Sequence, residues 1–287
     1  MTLQKPVILV FSSHVAAGAV GNRASVFVLE LLGFEVWAVP TIQMAWHPGN
    51  GPSKRLVPDE DEFAAHISDL SSRISKDTPI AILTGYLGSS AQATPISKLI
   101  DKAHTKGAVV HYLCDPVMGD NGGLYVPVET AKAIRDQLLP LADTATPNRF
   151  ELSWLLGETE AHSIGEAADQ AQRLGPATVL ATSIPAMMKG SVANLLVSAG
   201  KAHTAEHRLV DVVPNGTGDL TAALYLAHLL NGARPEQAMG SASAAVFALI
   251  SQSKREAGRD FKLARDQGFL RRPLNMPVLN IVTTKPR

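Results

Sequence analysis

The sequence predicts an α/β fold built on a mostly parallel sheet with helices on its faces. Short apolar runs alternate with helical patterns from the start of the chain: Val7–Phe11, a helical pattern from about Asn22 to Leu32, then Phe34–Val39. Fully apolar runs of this length are typical of parallel strands buried on both faces. Because parallel neighbours need a crossover between them, a strand, a helix and a second strand in that order indicate the βαβ unit of such a sheet.

The same alternation continues along the chain. Further strands are predicted at Ile80–Thr84, Ala108–Cys114, the weakly apolar run 141–145 and Thr178–Thr182. Helices are predicted from Pro58 to about Ser75 and near 91–106, 129–139, 163–174 and 235–252, with acidic residues in the first turn of the Pro58 helix. Two runs, Ser191–Val197 and Ala205–Val213, indicate an antiparallel hairpin. Residues 41–58 read as a flap over the sheet edge, and about 273–287 as a polar tail after one last helix.

Composition restricts the class of protein. The 287 residues carry 26 Lys+Arg and 26 Asp+Glu, and no basic block argues for a nucleic acid or an anionic membrane as partner. The single cysteine, Cys114, excludes an intrachain disulfide and fits a reducing cytoplasm. No apolar run approaches the roughly 20 residues of a membrane span, and the N-terminal run is too short for a signal peptide. We expect a soluble, cytoplasmic protein of one domain, residues 1–287, that binds small molecules.

A glycine turn at Pro214–Asp219 leads into an apolar helix that we expect to be buried. Gly216 and Gly218 can take backbone angles closed to other residues and let a ligand approach the main chain. The free N–H groups of the first helical turn, Thr217 included, then form an anion site. Asp219 lies in the same turn, where a carboxylate can take a proton from a hydroxyl while the N–H groups hold a phosphoryl group. A helix start capped by the Thr217 or Asp219 side chain would give the same pattern.

Polar side chains follow the predicted strands at their carboxyl ends, where ligands bind in open α/β sheets. They are Ser13, His14, Tyr86, Asp115, Asp120, Asn148, Glu151, Thr182, Ser183 and Asp219. Several carboxylates on one rim need cations nearby, and Mg²⁺ bridging phosphates meets that need. The sequence therefore predicts a phosphoryl-transfer site, and it contains no Walker-type P-loop motif.

Three other motifs are weaker. The stretch from Gly216 to Thr221 nearly matches the dinucleotide fingerprint, but it lacks the third glycine and follows a hairpin, so a nicotinamide-dependent oxidoreductase has little support. His203, Glu206 and His207 have a zinc-protease spacing that requires a helix, whereas this segment reads as a strand. Ser13-His14 lacks a nucleophile elbow, and Cys114 ends a buried strand and is expected to be inert.

These motifs together resemble the pyridoxal kinases. The resemblance runs from about residue 7 to 255 and rests on Ser13-His14-Val15, Gly18–Arg23, Gly33–Val36, Gly85–Gly88, Asp115–Asp120, Tyr125–Pro127, Thr146–Asn148 with Glu151, and Gly216–Asp219. The glycine turn alone indicates only the wider ribokinase-like superfamily, and the Ser-His-Val and Asp-Pro-Val-Met-Gly-Asp runs point to its vitamin B6 branch. The resemblance implies a single three-layer αβα sandwich that pairs as a homodimer and phosphorylates the 5′-hydroxymethyl group of pyridoxal with MgATP.

The resemblance also implies a role for each matching residue. Asp219 would be the base, with the Gly216, Thr217 and Gly218 backbone as the anion hole. Ser13, Tyr86 and His47 of the flap would bind the substrate. The metal ions, Mg²⁺ and a monovalent K⁺ or Na⁺, would be held directly or through water by Asp115, Asp120, Thr146 and Glu151. The nucleotide would contact Asp115, Asn148, Glu151, Thr182, Ser183, Thr217 and Gly218.

The flap departs from the family pattern. It reads Gln43–Asn50, with Pro48 where the family has a threonine and Trp46 where it has a small amide. Pro48 lacks both a hydroxyl and a backbone N–H. These changes leave the phosphoryl-transfer groups intact but open the choice of substrate. A kinase for another hydroxymethyl heterocycle, such as hydroxymethylpyrimidine, and a non-catalytic B6-binding protein are the alternatives.

Overall fold

The computed structural model describes residues 5–211, 213–256, 258, 260–273 and 276–282. These residues form a nine-stranded sheet in the order β11-β10-β9-β8-β7-β4-β3-β1-β2. Six neighbouring strands of this sheet, β2, β1, β3, β4, β7 and β8, pair in parallel. The strands β9, β10 and β11 extend it by antiparallel pairing. The expected α/β fold with a mostly parallel central sheet is confirmed.

The bounds of the elements follow the chain. The strands are β1 Val7–Val15, β2 Val36–Met44, β3 Ile80–Thr84, β4 Val109–Cys114, β5 Gly119–Asp120, β6 Gly123–Leu124, β7 Thr144–Ala145, β8 Thr178–Pro185, β9 Ser191–Ser198, β10 Lys201–Arg208 and β11 Leu279–Val282. The α-helices are α1 Asn22–Leu31, α2 Glu60–Arg73, α3 Ala93–Thr105, α4 Val128–Ala133, α5 Arg149–Leu156, α6 Ile164–Arg173, α7 Thr217–Leu230, α8 Pro235–Arg255 and α9 Leu263–Arg271. Strands β5 and β6 form a separate small hairpin.

Helices cover both faces of the sheet, because alternate residues of each buried strand point to opposite sides. Leu9, Phe11 and Ile82 pack in a core with α2 to α6, whereas Ile8 and Val10 pack in a second core with α1, α7, α8 and α9. Helix α7 has apolar residues on most of its faces and is buried from Leu220 to Ala227, as its sequence predicts. The result is the three-layer sandwich that the resemblance implies.

Several boundaries differ from the predictions. Strand β1 continues through Ser12 and Ser13 to Val15, so these residues lie in a strand and not in the loop that the sequence indicates. The second hairpin strand was placed too late in the sequence: β10 is Lys201–Arg208, whereas Ala205–Val213 is expected, and residue 212 lies outside the described residues. Polar residues alternate with small ones in β10, which hides the strand from a search for apolar runs.

The C-terminal segment also differs from the prediction. Residues 279–282 form an antiparallel edge strand on β10, with Leu279 opposite Ala205 and Ile281 opposite His203. The polar tail of about 273–287 is therefore partly built into the sheet, while its residues 274, 275 and 283–287 lie outside the described part. Within the part of the chain that the structure describes, none of the helices has the length and apolar character needed to span a bilayer.

Candidate active site

The predicted site residues lie along one edge of the sheet. Ser13 is near the end of β1, Tyr86 follows β3, and Asp115 follows β4. Thr146 follows β7, and Thr182 and Ser183 lie near the end of β8. Because these strands are parallel, their carboxyl ends meet at the same edge, and the N-terminus of α7 brings Asp219 to it. We call this edge the strand-end rim.

The glycine turn starts α7 with a residue that has no side chain of its own to cap the helix. Gly216 is the N-cap, with φ 95°. The Asp219 carboxylate accepts the N–H of its own residue, so the capping role that the sequence left open for Asp219 is present beside the glycine turn. A β-carbon on Gly216 would collide with the Ala19 carbonyl oxygen, so the β1–α1 loop touches the turn directly. The free N–H groups of the first turn provide an anion site at this rim.

Gly218 is used differently from Gly216. It lies inside α7 with a helical backbone, so it does not use the backbone angles closed to other residues that glycine can take. A β-carbon placed on Gly218 meets nothing within 4 Å. The absence of a side chain at Gly218 therefore leaves open space in front of the helix N-terminus, as the approach of a ligand to the main chain requires.

Asp219 is held by the β1–α1 loop. The backbone N–H of Gly21 donates to its carboxylate, as does the N–H of Asp219 itself. Burial raises the pKa of Asp219 to about 6, while these two N–H groups oppose the rise. A carboxylate with such a pKa can accept a proton near neutral pH.

Gly21 is a site residue that sequence reasoning noted only as part of a family motif. It has φ 54°, and a β-carbon on it would collide with the carbonyl and hydroxyl oxygens of Ser13. Gly21 thus lies between Ser13 and Asp219, and contacts both. The signal in the sequence was a glycine directly before a helix start, but its neighbours come from elements far apart in the chain.

Asp115 lies close to two other acids of the rim. It is buried, and its carboxylate accepts a hydrogen bond of 2.8 Å from the Thr146 hydroxyl. Burial, then the negative charges of Glu151 and Asp219, raise the pKa of Asp115 well above its ordinary value. Such a cluster of carboxylates favours either a proton or a cation among them.

Glu151 and Asn148 tie the start of α5 to the loop after β4. The two oxygens of Glu151 accept hydrogen bonds from the N–H groups of Met118 at 3.0 Å and Asn148 at 2.8 Å, and more weakly from Gly119 at 3.5 Å. The Asn148 side-chain amide donates to the Gly119 carbonyl at 2.8 Å, and its oxygen accepts from the Glu151 N–H at 2.9 Å. Burial raises the pKa of Glu151 to about 8 against these donors. Both side chains therefore fix the backbone of the rim.

Asp120 and Tyr125 complete the acidic side of the rim. Asp120 is exposed in β5 and accepts a 2.9 Å hydrogen bond from the Gly122 N–H. Burial and the charges of Glu151, Asp115, Asp219 and Asp120 raise the pKa of the Tyr125 hydroxyl. Tyr125 was cited from sequence as part of a motif and given no role, yet its hydroxyl lies within the field of all four carboxylates.

Thr182 and Ser183 lie at an irregularity of β8. The pairing of β8 with β9 shifts between Ala181 and Ile184, and Ser183 has φ 59°. Non-glycine residues in this left-handed region are uncommon, and bulges are frequent next to active sites. Ser183 lies at this irregularity and is exposed at the rim. Its neighbour Thr182 forms an isolated parallel bridge with Asn148. A second shift, between Ser12 and His14 of β1, lies beside Ser13.

The flap leaves β2 and returns to it. Gln43 pairs with Leu56, and between them His47 caps a short 3₁₀ turn at Pro48–Asn50 by accepting the Gly49 N–H at 3.1 Å. The Trp46 ring is 40% exposed. At the foot of the flap, Arg55 donates to the Tyr86 hydroxyl at 2.8 Å. His47 and Tyr86 therefore both lie near the flap, on the side of the rim opposite the acids.

The rim contains no preformed metal cage. Among the described residues, no three His, Cys, Asp or Glu side chains come close enough to hold a metal ion. The negative charge of buried Glu151 nevertheless raises the pKa of buried Asp115, so positive charge is favoured beside Asp115, and its carboxylate has the oxygen chemistry that Mg²⁺ prefers. The donor set fits a cation that phosphate oxygens and water help to coordinate.

Two weak sequence motifs, the zinc-protease spacing and the single cysteine, lie in the non-catalytic settings that we expected for them. His203 and His207 lie on strand β10, so the helix that a zinc-protease motif requires is missing there. Cys114 is buried, and burial raises the pKa of its thiol to about 12. A thiol in this state is inert.

The comparisons with known proteins all find kinases. A family model described as phosphomethylpyrimidine kinase matches residues 60–262. The chain is 34% identical over 282 residues to pyridoxal kinase PdxY of Rubrobacter xylanophilus, covering 96% of this chain and 97% of the relative. It is 35% identical over 261 residues to pyridoxal kinase PdxY of Granulibacter bethesdensis, covering 88% and 91%. The crystal structure of pyridoxal kinase from Leishmania donovani in complex with ADP and pyridoxine superposes with a TM-score of 0.87 at 29% identity, covering 96% of this chain and 99% of that one.

Proposed function

This chain belongs to the pyridoxal kinase family, an enzyme family of ribokinase-like fold, and we propose that its strand-end rim carries out the reaction with Asp219 as general base. The family activity is ATP-dependent phosphorylation of B6 vitamers, so the acceptor is the 5′-hydroxymethyl group of pyridoxal or a related vitamer. The observation that carries the assignment of roles is the juxtaposition at α7. A carboxylate with a pKa raised to about 6 lies in the first turn of a helix whose N-cap, Gly216, has no side chain to occupy the anion site.

The proposed mechanism assigns proton transfer and charge stabilisation to neighbouring groups of one turn. The Asp219 carboxylate takes the proton from the substrate hydroxyl while the hydroxyl oxygen bonds to the γ-phosphorus of ATP. The bond from that phosphorus to the β,γ-bridging oxygen breaks, and ADP leaves. The N–H groups of the Gly216–Gly218 segment stabilise the negative charge of the transferred phosphoryl group. They lie at the positive end of the helix dipole. The N–H of Gly21 orients the Asp219 carboxylate toward the hydroxyl.

The substrate ring and the nucleotide would occupy opposite sides of α7. Ser13, Tyr86 and His47 would contact the ring, and Asn148, Thr182 and Ser183 would line the phosphate channel. Asp115, with Asp120, Thr146 and Glu151 acting directly or through water, would hold the metal ions, for which the clustered carboxylates of Asp115 and Glu151 provide the charge. When bound, Mg²⁺ would neutralise the β- and γ-phosphates. Glu151 also holds backbone N–H groups, which supports a water-mediated contact.

The remaining features are carried by the resemblance. We infer a monovalent cation beside Mg²⁺, a homodimer and a cytoplasmic location. This chain itself supports only the location, through its single cysteine, the buried Cys114.

A second acceptor, hydroxymethylpyrimidine, is favoured by one observation on the flap. Trp46, which is 40% exposed, and Pro48 stand where the vitamin B6 branch has an amide and a threonine.

The test is ADP release by the purified protein with MgATP and, separately, pyridoxal, pyridoxine, pyridoxamine and hydroxymethylpyrimidine. We expect the highest kcat/KM with a B6 vitamer. Turnover with the pyrimidine alone would keep the mechanism and change the substrate. No turnover with any acceptor, although ATP binds, would contradict the proposal.

A further inference from the structure

Arg55 contacts the predicted ring-binding tyrosine. Its Nη2 donates to the Tyr86 hydroxyl at 2.8 Å, and its guanidinium carbon lies 5.8 Å from the centroid of the Tyr86 ring. The first distance is short enough for a charge-assisted hydrogen bond, and the second lies within the range of a cation–π contact with the ring. The arginine at the foot of the flap is thus coupled to Tyr86.

The charge of Arg55 is not neutralised within the described residues. No carboxylate there lies within ion-pair distance of Arg55, whereas other arginines of the chain, such as Arg149 and Arg265, pair with glutamates at 3.1 Å and 2.8 Å. A guanidinium has five N–H donors in a rigid fork, and the Tyr86 hydroxyl uses one of them. Arg55 is exposed, so the other donors can reach a ligand that lies against Tyr86.

Tyr86 itself is held in place. Its carbonyl oxygen accepts a 2.6 Å hydrogen bond from the Thr41 hydroxyl. Its side chain packs against a small apolar cluster formed by Val15, Val20, Ile42 and Met44, at the ends of β1 and β2 and in the β1–α1 loop. Val20 precedes Gly21, which touches Ser13. The positive charge of Arg55 therefore sits at the hydroxyl end of a fixed aromatic side chain near the predicted substrate contacts.

We propose that Arg55 is a specificity-determining residue that recognises an anionic substituent on the ring of the acceptor, namely the ionised 3-hydroxyl of a 3-hydroxypyridine. The proposal rests on the proposed function in one respect, that Tyr86 is the platform for the ring. B6 vitamers are 3-hydroxypyridines whose acidic ring hydroxyl becomes a phenolate while the ring nitrogen holds the proton. A guanidinium binds such an oxygen anion and disfavours an aminopyrimidine, which would leave the cation without a partner.

The test compares two ligands that differ only in that hydroxyl: pyridoxine and 3-deoxypyridoxine. Arg55→Met removes the charge and keeps most of the side-chain length, and Lys54→Met removes the neighbouring exposed charge as a matched control. We expect Arg55→Met to raise KM for pyridoxine about tenfold, and KM for the 3-deoxy analogue less than about twofold. The effect falls on KM because the contact is made equally before and during the reaction. Lys54→Met should leave both KM values unchanged.

A second variant separates recognition from mere support of Tyr86. Tyr86→Phe removes the hydroxyl that Arg55 holds but keeps the charge, so the preference for pyridoxine over its 3-deoxy analogue should persist. Equal increases in KM for both ligands in Arg55→Met would overturn the proposal, because Arg55 would then only position Tyr86. Equilibrium Kd values for the same two ligands give a readout that does not require turnover. A wild-type protein that binds both equally would overturn ring recognition even if phosphoryl transfer itself were missing.

Discussion

At the scale of residues, the site depends on how two glycines let one loop touch a carboxylate. Gly21 has no side chain to collide with Ser13, and Gly216 has none to collide with Ala19. The first contact holds the β1–α1 loop against β1, and the second holds it against the start of α7, where the Gly21 N–H reaches Asp219. The positioning of the base is therefore a property of backbone that only glycine allows.

The pKa of Asp219 sets the pH dependence of turnover. Its folded-state pKa is raised to about 6 by burial, so the carboxylate is protonated below that pH and cannot accept a proton. This pKa belongs to the protein without bound acceptor, so we expect kcat/KM for pyridoxal to fall about tenfold per pH unit below 6 and to level off above 7. The measurement is the steady-state rate between pH 5 and 8. A rate that stays flat down to pH 5 would show that the titration of Asp219 does not control turnover.

The sequence identified the types of residue at the site better than their contacts. Asp115, Thr146 and Asp219 were predicted on one rim. The Thr146–Asp115 hydrogen bond, and the rise that the charge of Asp219 causes in the pKa of Asp115, place them near each other. Sequence reasoning did not find that Glu151 holds the N–H groups of Met118 and Gly119 or that Gly21 holds Asp219, because such contacts join elements that are distant in sequence.

At the scale of elements, the N-terminus of α7 contains two glycines with different tasks. Gly216 has φ 95° and touches Ala19, whereas Gly218 is helical and faces open space. A side chain should therefore disturb the fold at the first position and the ligand at the second.

This difference predicts opposite effects of two matched substitutions. Gly216→Ala should lower the free energy of unfolding by about 2 kcal/mol or more, because alanine resists the left-handed region and its methyl group meets the Ala19 carbonyl. Gly218→Ala should leave stability unchanged or slightly higher, since alanine favours helix. It should nevertheless lower kcat/KM for ATP about tenfold or more, because the methyl group occupies the space before the anion site.

Urea unfolding and steady-state kinetics on the two variants measure these effects. Full stability in Gly216→Ala, or wild-type kinetics in Gly218→Ala, would contradict the distinct roles of the two glycines.

Strand boundaries were the part of the elements that the sequence predicted least well. Apolar runs give the buried centres of β1 and β8, but both strands continue past a pairing irregularity into polar residues at Ser12–His14 and Ala181–Ile184. A bulge has no hydrophobic signature of its own, since it depends on the partner strand. The two extensions lie beside the predicted site residues Ser13 and Ser183.

At the scale of the whole molecule, the alternation of strands and helices was enough to predict the fold. The short apolar runs predicted the parallel part of the sheet, which is formed by β2, β1, β3, β4, β7 and β8. The helical patterns between those runs predicted the crossovers that form the two helical layers. The edge strand β11 was missed although Leu279, Ile281 and Val282 are apolar, because the run is only four residues long and depends on pairing with β10. Leu279 of that strand packs against the core that also contains α8, so the segment contributes to the sandwich.

The balanced charge of the whole chain conceals a strong local imbalance. The chain has 26 Lys+Arg and 26 Asp+Glu residues. At the rim, however, Glu151 and Asp219 lie near Asp115, and their negative charges raise the pKa of Asp115. Concentrating acids at one edge destabilises the ligand-free protein and creates a demand for cations there. A MgATP site meets that demand.

The measurement that tests the central claim most directly is turnover of Asp219→Asn with MgATP and pyridoxal, together with the Kd of the variant for ADP. The amide keeps the shape of the side chain but cannot accept the proton, so we expect kcat to fall by about 10² to 10⁴ while the Kd for ADP stays within about threefold of the wild-type value. Turnover within about tenfold of wild type, with ADP bound normally, would contradict the assignment of Asp219 as the base of this kinase.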